Sequence, residues 1–253
     1  MKKLVEHMDD GLLWLINSQL KSGDLITLEL NNASDIYLSE DGDSRSATIF
    51  LPGRAVFLSN NGLEAEMHAE TIRRNGYSKV VGTRASLEHL RGHASLTGEE
   101  DSIAAYYHSG AEKYDSSEVV EFSKLGECEA LYDLHCEIDE FGTAHGSKEM
   151  FAADTLESIN TGIQRVFGIF KDKKCVSSAI SVQYGGYSIV IGVSTLPSER
   201  GQGLARKVMA KLALANETAG VKTYLFYNNP AAGRTYEVVG FKSAADWKIM
   251  YIS

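Results

Sequence analysis

The stretch Pro197-Ser198-Glu199-Arg200-Gly201-Gln202-Gly203-Leu204-Ala205 decides the fold of the second half of the chain. Apolar residues over 187–195 predict a buried strand that enters it, and apolar residues at helical spacing predict a helix over 203–216 that leaves it. A glycine-rich turn between a strand and a helix leaves the N–H groups of the first helical turn unpaired, at the positive end of the helix dipole. Because such groups bind anions, the stretch predicts a cradle for a diphosphate.

Two other phosphate-binding loops do not fit this stretch. A P-loop needs the pattern Gly-x-x-x-x-Gly-Lys-Ser/Thr, which the sequence does not contain. A dinucleotide-binding loop needs a third glycine where Arg206 stands and an acidic residue about 20 positions further on, where Thr223 stands. A plain glycine-rich turn before a solvated helix stays open as the alternative reading.

A second motif follows one predicted helix and one predicted strand later: Asn229-Pro230-Ala231-Ala232-Gly233-Arg234-Thr235-Tyr236-Glu237-Val238-Val239-Gly240-Phe241. Residues 200–205 match the pattern Arg/Gln-x-x-Gly-x-Gly/Ala of the GNAT superfamily of N-acetyltransferases. The second run is similar to the other motif of that family, an Asn, a short helix bearing Tyr, and then Gly-Phe. Both motifs occur in the family's order, and the resemblance covers about residues 117–253.

The resemblance implies that the chain transfers an acetyl group from acetyl-CoA to a primary amine, by direct attack through a tetrahedral intermediate. Acetyl-CoA would be a co-substrate, and no metal is implied. The residues that the resemblance assigns to coenzyme A binding are Val193, Thr195, Arg200, Gly201, Gln202, Gly203, Leu204, Ala205 and Asn229. Main-chain N–H groups of 200–205 would hold the diphosphate, and the backbone at Val193 and Thr195 would pair with the pantetheine arm.

Catalysis in the family rests on two further features. Gly192 within an apolar strand indicates a bulge, which would aim an amide at the thioester carbonyl and stabilise an oxyanion there. Tyr236 would protonate the departing thiolate, because a phenol with a pKa of about 10 suits a thiolate of similar basicity. The structural alternatives stay open: Gly192 as a packing glycine, Tyr236 as a core tyrosine and Asn229 as a simple helix N-cap.

A general base is harder to identify. Residues 187–195 contain no carboxylate, although many members of the family carry an acid on this strand. The candidates are therefore those in the connection between the first two helices of this half, and none is preferred over the others: Glu137, Asp139, Glu140 and His145. A second function class stays open, a catalytically inactive CoA-binding sensor or scaffold. A third reading is a protein-interaction module that binds no CoA.

The predicted fold class is α/β (α+β): a mixed, mostly antiparallel central sheet flanked by helices. We predict two domains, an N-terminal α/β domain over 1–112 and a GNAT-like acyl-CoA-binding domain over 113–253. In the first half, Asn60-Asn61-Gly62-Leu63 stands where the cradle would be, without a basic residue or a second glycine. The first half is either a degenerate copy of the same fold or an unrelated α/β domain. Within it we expect a helix over 1–20, a strand over 24–30 and a loop over 92–100.

Composition limits the partners. The 253 residues carry 25 Lys and Arg against 34 Asp and Glu, a net charge of −9, which disfavours nucleic acid as a partner. No apolar run approaches a membrane span, and the three cysteines have no paired spacing, so we expect a cytoplasmic protein without membrane association. His89 and His93 are four residues apart but lack a third ligand, so no metal is expected. The expected partner is a small-molecule or peptide amine, and a homodimer is left open.

Overall fold

The computed structural model of the protein describes residues 1–4, 9–21, 24–138 and 146–253. Its helices are α1 (Asp10–Gln19), α2 (Asp24–Glu29), α3 (Ala65–Arg74), α4 (Arg84–Glu88), α5 (Leu125–Cys136), α6 (Lys148–Asn160), α7 (Leu204–Thr218) and α8 (Pro230–Val239). Its strands are β1 (Lys2–Lys3), β2 (Asp35–Asp41), β3 (Ser44–Leu51), β4 (Arg54–Ser59), β5 (Lys79–Thr83), β6 (Leu96–Tyr107), β7 (Val120–Glu121), β8 (Gln164–Lys171), β9 (Lys174–Gln183), β10 (Tyr187–Thr195), β11 (Lys222–Tyr227) and β12 (Phe241–Ile252). None of the helices described has both the length and the apolar character needed to cross a bilayer.

The chain divides into two compact units. Unit 1 comprises Met1–Ala105, Phe226–Asn228 and Ser243–Ser253, and unit 2 comprises Tyr106–Leu225 and Asn229–Lys242. The C-terminal segment joins unit 1 because β12 pairs antiparallel with β5, a long-range contact that local sequence patterns do not encode. The units therefore differ from a simple cut between residues 112 and 113, and the two predicted domains stay a prediction.

In unit 1 the strand order is β1-β2-β3-β4-β5-β12-β6. The pairs are antiparallel from β1 to β4, and β4 and β5 are parallel, joined through α3. The core of this unit is apolar and includes Phe50, Phe57, Ile72, Val80, Leu87 and Met250. Burial of such side chains stabilises the fold by about 1.5–3 kcal/mol each.

In unit 2 the strand order is β11-β10-β9-β8-β7. Strands β7 to β10 pair antiparallel, whereas β10 and β11 are parallel and need the crossover helix α7 between them. Helix α7 packs on β8, β9 and β10, and α5 packs on β9. The prediction of a mixed, mostly antiparallel sheet flanked by helices is confirmed.

The two halves share one order of elements. Three antiparallel strands, a helix and a parallel fourth strand follow one another as β2-β3-β4-α3-β5 and again as β8-β9-β10-α7-β11. The hypothesis that the first half is a degenerate copy stays a prediction, and this shared order supports it.

Three local expectations are wrong in the first half. Of the predicted helix over 1–20, the described residues contain only α1, whose start is fixed by the Asp9 side chain accepting the N–H groups of Gly11 and Leu12, and Lys2–Lys3 pairs with β2 instead. The predicted strand over 24–30 is helix α2 followed by a 3-10 turn. Part of the predicted loop over 92–100 belongs to β6, where acidic side chains meet the ammonium group of Lys248.

Candidate active site

Strands β10 and β11 pair over only part of their length. Their register runs from Tyr187 opposite Lys222 to Val190 opposite Leu225. Beyond Val190, the sheet partners of β10 among the described residues lie on β9 alone. A bulge stands at this point, because Val190 faces Ser181 and Gly192 faces Ile180, so that Ile191 is the extra residue. Strand β10 is thus irregular at Gly192, where the sequence predicts a bulge.

The loop after β10 has an unusual backbone. A 3-10 turn over Pro197–Glu199 is followed by Gly201 and Gly203, both with φ of +80°, a conformation that glycine adopts at least cost. Helix α7 begins at Leu204, and no side chain caps it. Within the described part of the chain, the N–H groups of residues 201–205 have no hydrogen-bond acceptor, whereas the next N–H, that of Arg206, donates to the Gly203 carbonyl. The first turn of α7 therefore presents a run of free donors.

Cations and one carboxylate surround this loop. Arg200 and Arg206 are exposed, and neither forms an ion pair with any carboxylate in the described ranges; the Nε of Arg200 donates to the Thr195 carbonyl at 3.2 Å. Glu199 is bound by the Lys171 ammonium group at 2.6 Å, and this hydrogen bond lowers the pKa of the Glu199 carboxyl. The net charge beside the free N–H groups is therefore positive.

Helix α8 begins and ends at residues of the second motif. The Asn229 side chain accepts the N–H of Ala231 at 2.9 Å, so Asn229 is an N-cap, one of its predicted roles. Gly240 ends the helix with φ of +114°. Between them, Tyr236 is half-buried, and its ring meets that of Phe241 edge-on with 6.2 Å between centroids.

A cavity of about 510 Å³ joins these elements. Of the residues that the sequence predicts, it is lined by Val193, Thr195, Arg200, Gly201, Gly203, Leu204, Ala205, Asn229 and Tyr236. Gln202 does not line it, and its side chain bonds to Lys171 and Glu199. The lining also contains Ile138 and Thr235, which the sequence does not assign to the site; Thr235 lies beside Tyr236, but Ile138 lies just beyond the end of α5 and carries no local signal.

The predicted base candidates do not reach this cavity in the part described. Glu137 is exposed and pairs with Lys174 at 2.7 Å. Asp139, Glu140 and His145 lie outside the described residues. Across the described ranges, no three His, Cys, Asp or Glu side chains come together as metal ligands, and the absence of a metal stays a prediction.

The corresponding turn of the first half is closed to an anion. The Ser59 hydroxyl accepts the N–H groups of Asn61 and Gly62, and the Asn61 side chain accepts that of Leu63. The ring of His89 covers Gly62, since a β-carbon there would lie 2.8 Å from His89 Nδ1. The donors that are free in the second half are therefore satisfied by the protein's own side chains in the first.

Comparisons with known proteins agree with this architecture. The family model of the GNAT acetyltransferases matches residues 35–250. An acetyltransferase of the GNAT family from Colwellia psychrerythraea is similar over 100% of this chain and 99% of its own, with a TM-score of 0.60 at 13% identity. A GCN5-related N-acetyltransferase from Kribbella flavida covers 96% of both chains, with a TM-score of 0.54 at 17% identity. A tandem GNAT protein from the clavulanic acid biosynthesis pathway covers 98% and 97%, with a TM-score of 0.53 at 11% identity. Among the curated proteins, no sequence matches.

Proposed function

Because this chain belongs to the GNAT acetyltransferase family, we propose that it is an N-acetyltransferase that moves the acetyl group of acetyl-CoA to a primary amine. The observation that carries the proposal is the run of free N–H groups over 201–205, which borders the same cavity as Tyr236. A family member that no longer bound acetyl-CoA would have no need for both the free N–H groups and Tyr236.

The diphosphate of acetyl-CoA binds at the start of α7. Free N–H groups and the helix dipole favour a dianion there. Arg200 and Arg206 add two cations that no described carboxylate neutralises. Gly201 and Gly203 make the site by holding the backbone in the left-handed region. Their role is conformational and not steric, because a β-carbon at either position would meet open space.

The pantetheine arm lies along β10 beyond the bulge. The edge of β10 at Val193 and Thr195 is free of β11, so an amide-bearing chain can pair with it as an added strand. This pairing brings the thioester toward the bulge, where an N–H group not used in a regular ladder stabilises the oxyanion of the tetrahedral intermediate.

Acetyl transfer then needs one proton donor and one proton acceptor. The neutral amine attacks the thioester carbonyl, a C–N bond forms, and the C–S bond breaks as the intermediate collapses. The phenol of Tyr236 gives its proton to the departing thiolate, and the amine nitrogen loses a proton to a base or to water. Tyr236 lines the cavity from α8, the helix that Asn229 caps.

The acceptor is a small-molecule or peptide amine. The described walls of the cavity offer one carboxylate, Glu199, and the Lys171 ammonium group is paired with it. A cytoplasmic location and the absence of nucleic acid, membrane and metal partners remain predictions. A homodimer stays open.

A second candidate is an inactive CoA-binding sensor or scaffold. The pairing of Glu199 with Lys171 favours it, because this leaves the described lining without a carboxylate available as a base. The presence of Tyr236 in the same lining favours the enzyme, since a sensor has no leaving thiolate to protonate.

The test is thiol release on mixing the protein, acetyl-CoA and panels of polyamines, amino acids, aminoglycosides and peptides with free N-termini. We expect at least one amine to give CoA release that is saturable in both substrates. CoA binding by calorimetry without turnover on any amine would support the sensor. Absence of CoA binding would contradict both proposals.

A further inference from the structure

A closed triangle of three side chains connects strand β8 to the phosphate loop. The Lys171 ammonium group lies 2.6 Å from Glu199 Oε2 and 3.0 Å from Gln202 Oε1, and Gln202 Nε2 donates to Glu199 Oε2 at 2.8 Å. Lys171 is the last residue of β8, opposite Lys174 across a tight turn whose two central residues both have positive φ. The rigid hairpin therefore fixes the point from which Lys171 reaches the loop.

The loop has few other attachments at this point. A β-carbon placed at Gly201 or Gly203 would have no neighbour within 4 Å, so side-chain packing does not hold either glycine. Glycine loses more backbone entropy than other residues on ordering, which makes such a loop costly to fix. Gln202 lies between the two glycines, and its side chain is held by Lys171 and Glu199.

Lys171 also controls the charge beside the proposed diphosphate site. Glu199 lines the cavity, and its carboxylate would repel a dianion if it were unpaired. Lys171 itself does not line the cavity, so it acts on the site only through Glu199 and Gln202.

We propose that Lys171 is a positioning residue for coenzyme A: it neutralises Glu199 and holds Gln202, and thereby keeps the donors of 201–205 arranged for the diphosphate. The inference rests on the proposed function, because it concerns the affinity of that same donor site. It predicts that a surface lysine outside the cavity determines how tightly the nucleotide part of the donor binds.

The experiment measures CoA binding by calorimetry, and steady-state kinetics with acetyl-CoA and with acetyl-pantetheine, which lacks the diphosphate. We expect Lys171→Ala to weaken CoA binding about five- to tenfold and to raise the KM for acetyl-CoA similarly, with kcat changed less than twofold. The kinetic constants for acetyl-pantetheine should stay unchanged. Lys171→Arg should restore CoA affinity, since it keeps the positive charge beside Glu199.

Two further variants separate the charge effect from general damage. Glu199→Gln in the Lys171→Ala background should recover part of the lost affinity, because it removes the unpaired carboxylate. Lys148→Ala is the matched control, since Lys148 forms an equally short 2.6 Å ion pair with Asp133 on other elements, and its CoA affinity should equal that of the wild type. A wild-type CoA affinity in Lys171→Ala, or an equal loss with acetyl-pantetheine, would overturn the inference. No CoA binding by the wild type would instead contradict the proposed function.

Discussion

Gly240 and Ser109 approach so closely that a β-carbon at position 240 would lie 2.0 Å from the Ser109 carbonyl oxygen. The Gly240 carbonyl also accepts the N–H of His108 at 3.0 Å. The glycine of the second motif thus ends α8 and lets the segment that follows β6 pass against it.

We predict that Gly240→Ala destabilises the protein by about 3 kcal/mol, because a left-handed φ and a backbone clash both oppose the new methyl group. Urea unfolding measures the change. The control is Gly126→Ala in α5, where a β-carbon meets open space and φ is not positive; there the stability should rise slightly. Equal stability of Gly240→Ala and the wild type would contradict the close approach.

Tyr236→Phe should lower kcat by about 100-fold or more, the usual contribution of a general acid, while CoA affinity stays within about twofold. Steady-state kinetics and calorimetry give the two values. Tyr114→Phe is a matched control, because the Tyr114 hydroxyl donates to the Val238 carbonyl on the same helix and lies outside the cavity lining. Unchanged turnover in Tyr236→Phe would remove Tyr236 from the mechanism.

Gly201→Ala should weaken CoA binding by about tenfold, because alanine disfavours the φ of +80° by about 1–2 kcal/mol and shifts the following donors. Gly201→Asn should be milder, since asparagine tolerates the left-handed region. Calorimetry on both variants, with urea unfolding to check the fold, makes the comparison. If alanine and asparagine had the same effect, backbone conformation would not be the cause.

One chain should bind one CoA. In the turn of the first half, N–H groups donate to the Ser59 and Asn61 side chains, and His89 covers Gly62, so among the described residues only the second half offers such a site. Calorimetric titration should give a stoichiometry of one. Two equivalent sites per chain would contradict the closed turn.

His68 makes stability depend on pH. The side chain is fully buried, bonded to Ser39 and Thr48, and burial lowers its pKa from 6.5 to about 4 despite the nearby Glu64 carboxylate. Between pH 6.5 and 4 the unfolded chain therefore binds a proton at His68 that the folded protein does not. The contribution of neutral His68 to the free energy of unfolding is thus fully present above pH 6.5 and is lost as the pH falls through this window.

The expected loss between pH 7.5 and pH 5 is about 2 kcal/mol, from 1.36 kcal/mol per pH unit below 6.5. Urea unfolding at the two pH values measures it. His68→Gln should reduce this pH dependence, whatever its own stability, because the titrating group is gone. The same pH dependence in wild type and His68→Gln would contradict the assignment.

The sequence predicts the loop and the bulge well because their chemistry is local. Gly201 and Gly203 can adopt positive φ wherever they stand, and a glycine in an apolar strand, such as Gly192, marks irregular pairing. Asn229 is likewise a cap by its position before Pro230.

Features that depend on distant residues were not predictable in the same way. The partner of β12 is β5, and the Lys171 triangle joins residues about 30 positions apart, so no local pattern contains either. The short apolar run of helix α2 fits both the strand and the helix periodicity, so the sequence predicts a strand there. Only the burial of Leu25 and Ile26, with Leu30 in the 3-10 turn that follows, shows the helical face. The close contact of Gly240 with Ser109 likewise needs the tertiary structure.

A crystal structure of the protein grown with coenzyme A tests the central claim most directly. We expect the diphosphate oxygens within hydrogen-bonding distance of the main-chain N–H groups of residues 201–205, with the thiol end directed toward Tyr236. Coenzyme A bound elsewhere on the chain, with those N–H groups making no contact to phosphate, would contradict the account.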